Sequence, residues 1–253
     1  MHSLSLRGVL LGEGRPKIAV SLTGKTESEL LSEVETLHTL PVDIAEWRLD
    51  CFSAVTDRDA LGRCLAALRK TLGEIPLLAT FRTKQEGGCA ALSPSAYLAL
   101  NQQLLASQQI DLLDIELFAG EAIVSPLIAS AHAAGIPVLL SNHDFEKTPS
   151  KEELLRRLAK MDALGGDVLK IAVMPKNRSD VLALLAATAE AADRFPKPLV
   201  TISMGGLGAV SRMAGGVFGS AMTFAAAHRS SAPGQLPADD LSFVLDLLPS
   251  NQA

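Results

Sequence analysis

The sequence predicts a (β/α)8 TIM barrel with a short N-terminal hairpin closing its bottom. Three observations carry that reading. Short β-rich apolar runs alternate with longer helical stretches eight times along 253 residues, the order of a barrel in which each strand is followed by a helix. Aromatics make up only 4% of the chain, with one Trp and one Tyr, which suits helices on a buried parallel sheet better than an aromatic-rich sandwich. The first strand–helix turn reads Leu22-Thr23-Gly24-Lys25, without the Gly-x-Gly-x-x-Gly fingerprint of an open dinucleotide-binding sheet. One barrel domain over residues 1–253 is the expectation.

The segment 1–16 precedes the first strand and supplies the hairpin. Strands are expected at residues 17–22, 43–49, 76–82, 112–117, 137–143, 168–173, 198–204 and 217–223. Each is a short apolar run bounded by turn residues. Helices are expected at 27–40, 57–72, 94–108, 121–134, 151–164, 179–194, 209–214 and 238–248. Ser93-Pro94 offers an N-cap followed by Pro at the first helical position, where its missing N–H costs nothing. Ser150 stands three residues before Glu153, the capping-box spacing. Gly135-Ile136-Pro137 stops one helix and starts the next strand.

Composition narrows the function. The net charge of −5 gives no bulk support for nucleic-acid binding. No stretch approaches 18 uncharged apolar residues, so no membrane span is expected. The N-terminal apolar run is too brief and too Gly-broken for a signal peptide. Cys51, Cys64 and Cys89 fit neither a disulfide framework nor zinc spacing. Reduced thiols in a cytoplasmic protein, with no metal, are the plain expectation.

Catalytic groups of such barrels sit at the C-terminal ends of the strands. Reading those ends in order gives Ser21, then Glu46 and Arg48 with Asp50, Arg82, Asp114 and Glu116, His143, Lys170, and Ser203. Glu46 and Arg48 share one face of their strand, opposite Trp47 and Leu49. Lys170 lies within Val168-Leu169-Lys170-Ile171-Ala172-Val173, and Lys is almost never fully buried without a partner. A snorkelling or salt-bridged side chain would account for it. The sharper reading is a Schiff-base nucleophile, because burial and nearby cations favour the neutral amine that attacks a carbonyl. Of five histidines only His143 ends a strand, which suits a general acid–base. Arg48, Arg82 and Arg212 are the anion-binding candidates, although Arg212 could equally be a solvated helix charge. The run Met204-Gly205-Gly206-Leu207-Gly208 could cradle a phosphate at a helix N-terminus. That keeps a class I aldolase acting on a sugar phosphate in view as a rival.

The same residues resemble a known family. The stretches are Glu46-Trp47-Arg48-Leu49-Asp50, Thr80-Phe81-Arg82 through Glu86-Gly87-Gly88, Ser141-Asn142-His143-Asp144-Phe145 and Lys170-Ile171-Ala172. Ser203-Met204, Ser211-Arg212, Phe218-Gly219-Ser220 and Ser231-Ala232-Pro233-Gly234-Gln235 complete the set. In this order they are similar to type I 3-dehydroquinate dehydratases, the Schiff-base hydro-lyases of the shikimate pathway. The charged residues found in some relatives between Met204 and Gly208 are replaced here by Gly205-Gly206-Leu207.

The resemblance implies catalytic roles for Lys170 (imine), His143 (acid–base) and Glu86 (orienting His143). It implies that Glu46, Arg48 and Arg82 hold ring hydroxyls of 3-dehydroquinate, and that Arg212, Ser231 and Gln235 grip its carboxylate. Ser21 and Ala232 add contacts, and Met204 and Phe224 line an apolar wall. Neither cofactor nor metal is implied, and a homodimer is expected. Residues 227–237 form a connection of about ten residues with no apolar periodicity, long enough to act as a mobile lid.

Overall fold

The computed structural model describes residues 3–227 and 231–248. Ten strands and eight α-helices are formed among them. The N-terminal pair β1 (Leu4–Leu6) and β2 (Val9–Leu11) makes an antiparallel hairpin. Its turn places Arg7 and Gly8 at positive φ, and Arg7 Nε reaches Asp111 Oδ1 at 2.7 Å. Eight parallel strands follow: β3 (Lys17–Leu22), β4 (Ile44–Arg48), β5 (Leu77–Thr80), β6 (Leu112–Glu116), β7 (Val138–Asp144), β8 (Val168–Val173), β9 (Leu199–Ser203) and β10 (Met222–Ala225). They pair in the order β10-β3-β4-β5-β6-β7-β8-β9. A Leu199–Ser220 bridge and the Ala221 N–H donating to Leu199 O at 2.7 Å bring the two ends together. The result is a nearly closed barrel.

Helices α1 (Glu27–Leu37), α2 (Arg58–Leu72), α3 (Pro94–Ser107), α4 (Glu121–Ala133), α5 (Lys151–Ala163), α6 (Arg178–Arg194), α7 (Gly205–Ala214) and α8 (Ala238–Leu247) follow the strands in turn. Their starts obey ordinary capping chemistry. Ser93 Oγ accepts from Ala96 N with Pro94 at the first helical position, and Ser150 Oγ accepts from Glu153 N.

Strand alternation divides the apolar residues into two bodies. Outward residues such as Trp47, Ile115 and Ile171 pack under the helices. Inward residues Ile44, Leu78, Leu112, Leu139, Val168 and Met222 fill the barrel bottom together with Leu6 and Leu11 of the hairpin. The hairpin therefore closes the bottom, and chemistry is confined to the upper interior.

Most element boundaries fall within three residues of the sequence expectation, the first helix ending at Leu37 rather than 40, and two depart further. The last strand is Met222–Ala225, not 217–223, because residues Gly215–Phe218 coil into a 3-10 turn that Gly219 ends at φ +102°. The apolar pair Val217-Phe218 imitates a strand start, but the flanking glycines favour the turn. Helix α7 begins at Gly205, not 209. Gly208 there serves close packing: a Cβ on it would lie 2.1 Å from Ser203 O.

Candidate active site

Inward positions of five successive strands change from apolar at the bottom to polar at the mouth. The pairs are Ile44 and Glu46 on β4, Leu78 and Thr80 on β5, Leu112 and Asp114 on β6, Leu139 and Ser141 on β7, and Val168 and Lys170 on β8. All five polar residues are buried, so they must satisfy one another. Thr80 Oγ1 donates to Glu46 Oε1 at 3.0 Å, and Ser21 Oγ donates to Glu46 Oε2 at 2.5 Å. Ser141 Oγ donates to Asp114 Oδ1 at 2.7 Å.

Lys170 stands in this layer, 4% exposed. Its Nζ lies 3.8 Å from Glu46 Oε1, 3.9 Å from Asp114 Oδ2 and 4.2 Å from the centroid of the Phe224 ring. Burial, helped by the Arg82 and Arg48 charges, lowers the amine's pKa below its ordinary value against the pull of Glu46 and Asp114. The same setting acts in reverse on Glu46. Burial opposes its charge, yet Lys170, Arg48 and Ser21 hold its carboxyl below the usual range.

His143 stands one inward position above Ser141 on β7. Glu86, in the turn after β5, accepts from His143 Nδ1 at 3.0 Å and from the His143 backbone N–H at 2.9 Å. The imidazole orientation is thereby fixed at Nδ1, leaving Nε2 to act. Burial and the Arg82, Lys170 and Arg48 charges push the imidazole well below its ordinary pKa. Burial, with Glu116's charge, pushes the Glu86 carboxyl up to about 7. A residue the sequence reading passed over completes this pair. Asn142 Nδ2 donates to Glu86 Oε1 at 3.2 Å, and its Oδ1 accepts from Arg157 Nη1 at 2.6 Å.

The three candidate arginines meet different fates. Arg48 is held bidentately by Asp50, both distances 2.8 Å, with Asp50 otherwise occupied by the backbone N–H groups of Arg82 and Cys89. Arg82 is paired with Asp114 at 2.7 Å, Glu116 at 2.9 Å and Glu86 at 3.6 Å. Arg212 is a buried group, 2% exposed, rather than a solvated helix charge. It donates to the carbonyls of Phe224 at 3.3 Å and Pro233 at 3.0 Å, while its buried Nε has no partner among the described residues. No carboxylate lies within 4.0 Å of it among the described residues, and burial lowers its pKa to about 10.

Of the expected lid, His228, Arg229 and Ser230 lie outside the described residues. The remainder is seated on the barrel. Ser231 Oγ donates to Ser21 Oγ at 3.0 Å, and Gly205 N–H donates to Pro233 O at 3.1 Å. Gln235 Oε1 accepts from Ser231 N at 2.7 Å. Gly234, at φ +77°, lets this loop press on α7: a Cβ there would lie 2.3 Å from Gly205 O. Gly205 itself stands at φ +71°, a conformation that favours glycine.

All thirteen sequence-predicted site residues line one cavity of about 240 Å³. Lys170, His143 and Glu86 share it with Ser21, Glu46, Arg48 and Arg82 on one side. Met204, Arg212, Phe224, Ser231, Ala232 and Gln235 form the other. The cavity combines a desolvated amine, an oriented imidazole and a guanidinium with no carboxylate partner among the described residues. That set suits a small carbonyl compound carrying a carboxylate and hydroxyls.

The family model described as type I 3-dehydroquinase matches residues 18–252. A 3-dehydroquinate dehydratase of Listeria monocytogenes is 49% identical over 248 residues, covering 98% of each chain. One from Bacillus subtilis is 46% identical over 252 residues, covering 99% of each. The solved structure of a Clostridium difficile type I 3-dehydroquinate dehydratase with covalent modified comenic acid superposes with TM-score 0.94 at 42% identity, covering 97% of each chain. In the described residues no helix is long and apolar enough to cross a membrane.

Proposed function

The chain belongs to the type I 3-dehydroquinase family, and on that premise we propose that it dehydrates 3-dehydroquinate to 3-dehydroshikimate by syn elimination through an imine on Lys170. As a family member it is a hydro-lyase of the shikimate pathway. The observation that carries the finer reading is the Lys170 amine, buried beside two carboxylates and pushed towards its neutral form.

Lys170 Nζ attacks the C3 ketone, and loss of water from the carbinolamine leaves a protonated imine. This imine withdraws electrons from C2, so neither cofactor nor metal is needed for electrophilic activation. His143 takes the C2 proton and then delivers it to the departing C1 hydroxyl, which leaves as water. Hydrolysis of the remaining imine returns the amine. Glu86 orients the imidazole and stabilises it when protonated. Glu46 and Arg48 receive ring hydroxyls, with Arg82 behind them fixing the carboxylate layer. The substrate carboxylate binds Arg212, supplying the anion that this guanidinium lacks, with Ser231 and Gln235 closing over it and Ala232 contributing backbone. Ser21 positions Glu46, and Met204 with Phe224 forms the apolar wall.

A homodimer and a cytoplasmic setting belong to the same reading. Exposed apolar residues on consecutive helices support the dimer: Leu182 on α6, Val210 on α7, and Phe243 and Leu247 on α8. The substitution Lys170→Ala tests the chemistry. Turnover of 3-dehydroquinate should fall by at least about 10⁴-fold with the circular-dichroism spectrum unchanged, since the electron sink is lost and the barrel remains. Turnover within tenfold of the parent would refute the imine.

A further inference from the structure

Three cysteines are present, and two of them meet. Cys51 ends the 3-10 turn after β4, and Cys89 follows Gly87-Gly88 in the turn after β5. Their Sγ atoms lie 3.2 Å apart. A disulfide requires about 2.05 Å, so closure needs an approach of only about 1.2 Å. Cys89 is exposed, Cys51 is half-buried and Cys64 is fully buried on the inner face of α2. The two cysteines stand 38 positions apart, which hides the contact in the sequence. Adjacent barrel strands bring successive loops together.

We propose that Cys51 and Cys89 form a dithiol site which a low-molecular-weight disulfide converts to an intramolecular disulfide, bracing two loops of the active-site mouth. The exposed Cys89 thiolate attacks one sulfur of the reagent and displaces its first thiolate. The Cys51 thiolate then attacks Cys89 Sγ and displaces the second. The pair loses two electrons and two protons, and the reagent is reduced to two thiols. Burial, the bond to Cys89 and Asp50's charge push the Cys51 thiol up to about 12. This favours Cys89 as the first nucleophile and makes closure the slow step.

The brace would act on the site through contacts already in place. Asp50 Oδ2 accepts from Cys89 N at 2.8 Å, and the same carboxylate holds Arg48. Gly88 packs so tightly on the Arg82 carbonyl that a Cβ would lie 1.9 Å from it, which fixes Cys89 beside Cys51. Glu86, three residues before Cys89, orients His143. A covalent bond here links the turn carrying Asp50, which holds Arg48, to the loop carrying Glu86.

The test is incubation of the whole enzyme with oxidised glutathione, read by intact mass, peptide mapping and thermal unfolding. The expected result is a loss of two mass units, a peptide linking Cys51 to Cys89, and a rise in Tm of about 4–10 °C that dithiothreitol reverses. Cys51→Ser and Cys89→Ser should each abolish the rise, and Cys64→Ser should keep it. In Cys51→Ser a stable glutathione adduct should remain on Cys89. A glutathione adduct on wild-type Cys89 with Cys51 still free would overturn the proposal. So would a crosslink through Cys64, or a Cys51–Cys89 bond with Tm unchanged.

Discussion

Arg82 and Arg212 are both buried in the barrel mouth, 4% and 2% exposed, yet they live in opposite electrostatic surroundings. Arg82 belongs to the polar half, where β4 to β8 end in charged and hydroxyl groups, and it is matched by three carboxylates. Arg212 faces the other half, where Ile202, Met204 and Phe224 keep the interior of β9 and β10 apolar. Its contacts are neutral carbonyls. A guanidinium surrounded by carboxylates has its charge satisfied by the fold; one buried among carbonyls retains its charge for a ligand. Residue type and position at a strand end do not separate these cases. The partners do.

Substitution should break the two apart. Arg82→Met leaves Asp114, Glu116 and Glu86 facing one another in a buried layer, and should cost about 3–5 kcal/mol of stability. Arg212→Ala should cost about 1 kcal/mol or less, because the desolvation penalty of an unpaired cation leaves with it. In exchange kcat/KM should drop about 10²–10³-fold, mostly through KM. Urea unfolding and steady-state kinetics on both variants decide the matter. Equal stability losses would erase the distinction.

A pH profile sharpens it within the polar half. Glu86, with its carboxyl raised to about 7, must be ionised to stabilise protonated His143. The acid limb of kcat/KM should therefore fall near pH 7, and Glu86→Gln should remove it at reduced rate. Stability carries the opposite sign. A carboxyl raised in the folded state contributes most below its unfolded pKa and loses that contribution as pH rises through about 7. The wild type should thus lose stability relative to Glu86→Gln across that interval. On the apolar half the smallest effect belongs to Gln235→Ala, with KM raised about tenfold and kcat little changed. An unchanged KM would leave Gln235 a support for Ser231 only.

What the sequence made legible follows the same division. Strand-end positions could be read because a barrel directs every second residue inward, and Lys170, His143 and Glu46 conform. Asn142 was invisible to that logic. Alternation turns it away from the cavity, yet it reaches Glu86 from behind. The role of Asp114 and Glu116 as partners of Arg82 needed the register of β5 beside β6. The eighth strand was displaced because Val217-Phe218 carries β character that the surrounding glycines override. The Gly205–Gly208 run looked like a phosphate cradle, and two of its glycines are taken up by contacts with Ser203 and Gly234.

Every step of the proposed reaction rests on Lys170 acting as a nucleophile. The most direct measurement is borohydride reduction of the enzyme in the presence of 3-dehydroquinate, followed by intact mass and peptide mapping. One stable adduct per chain is expected, located on Lys170, with complete and irreversible loss of activity and no adduct in Lys170→Ala. An enzyme that keeps full activity and parent mass under turnover with borohydride, or an adduct on another lysine, would contradict it.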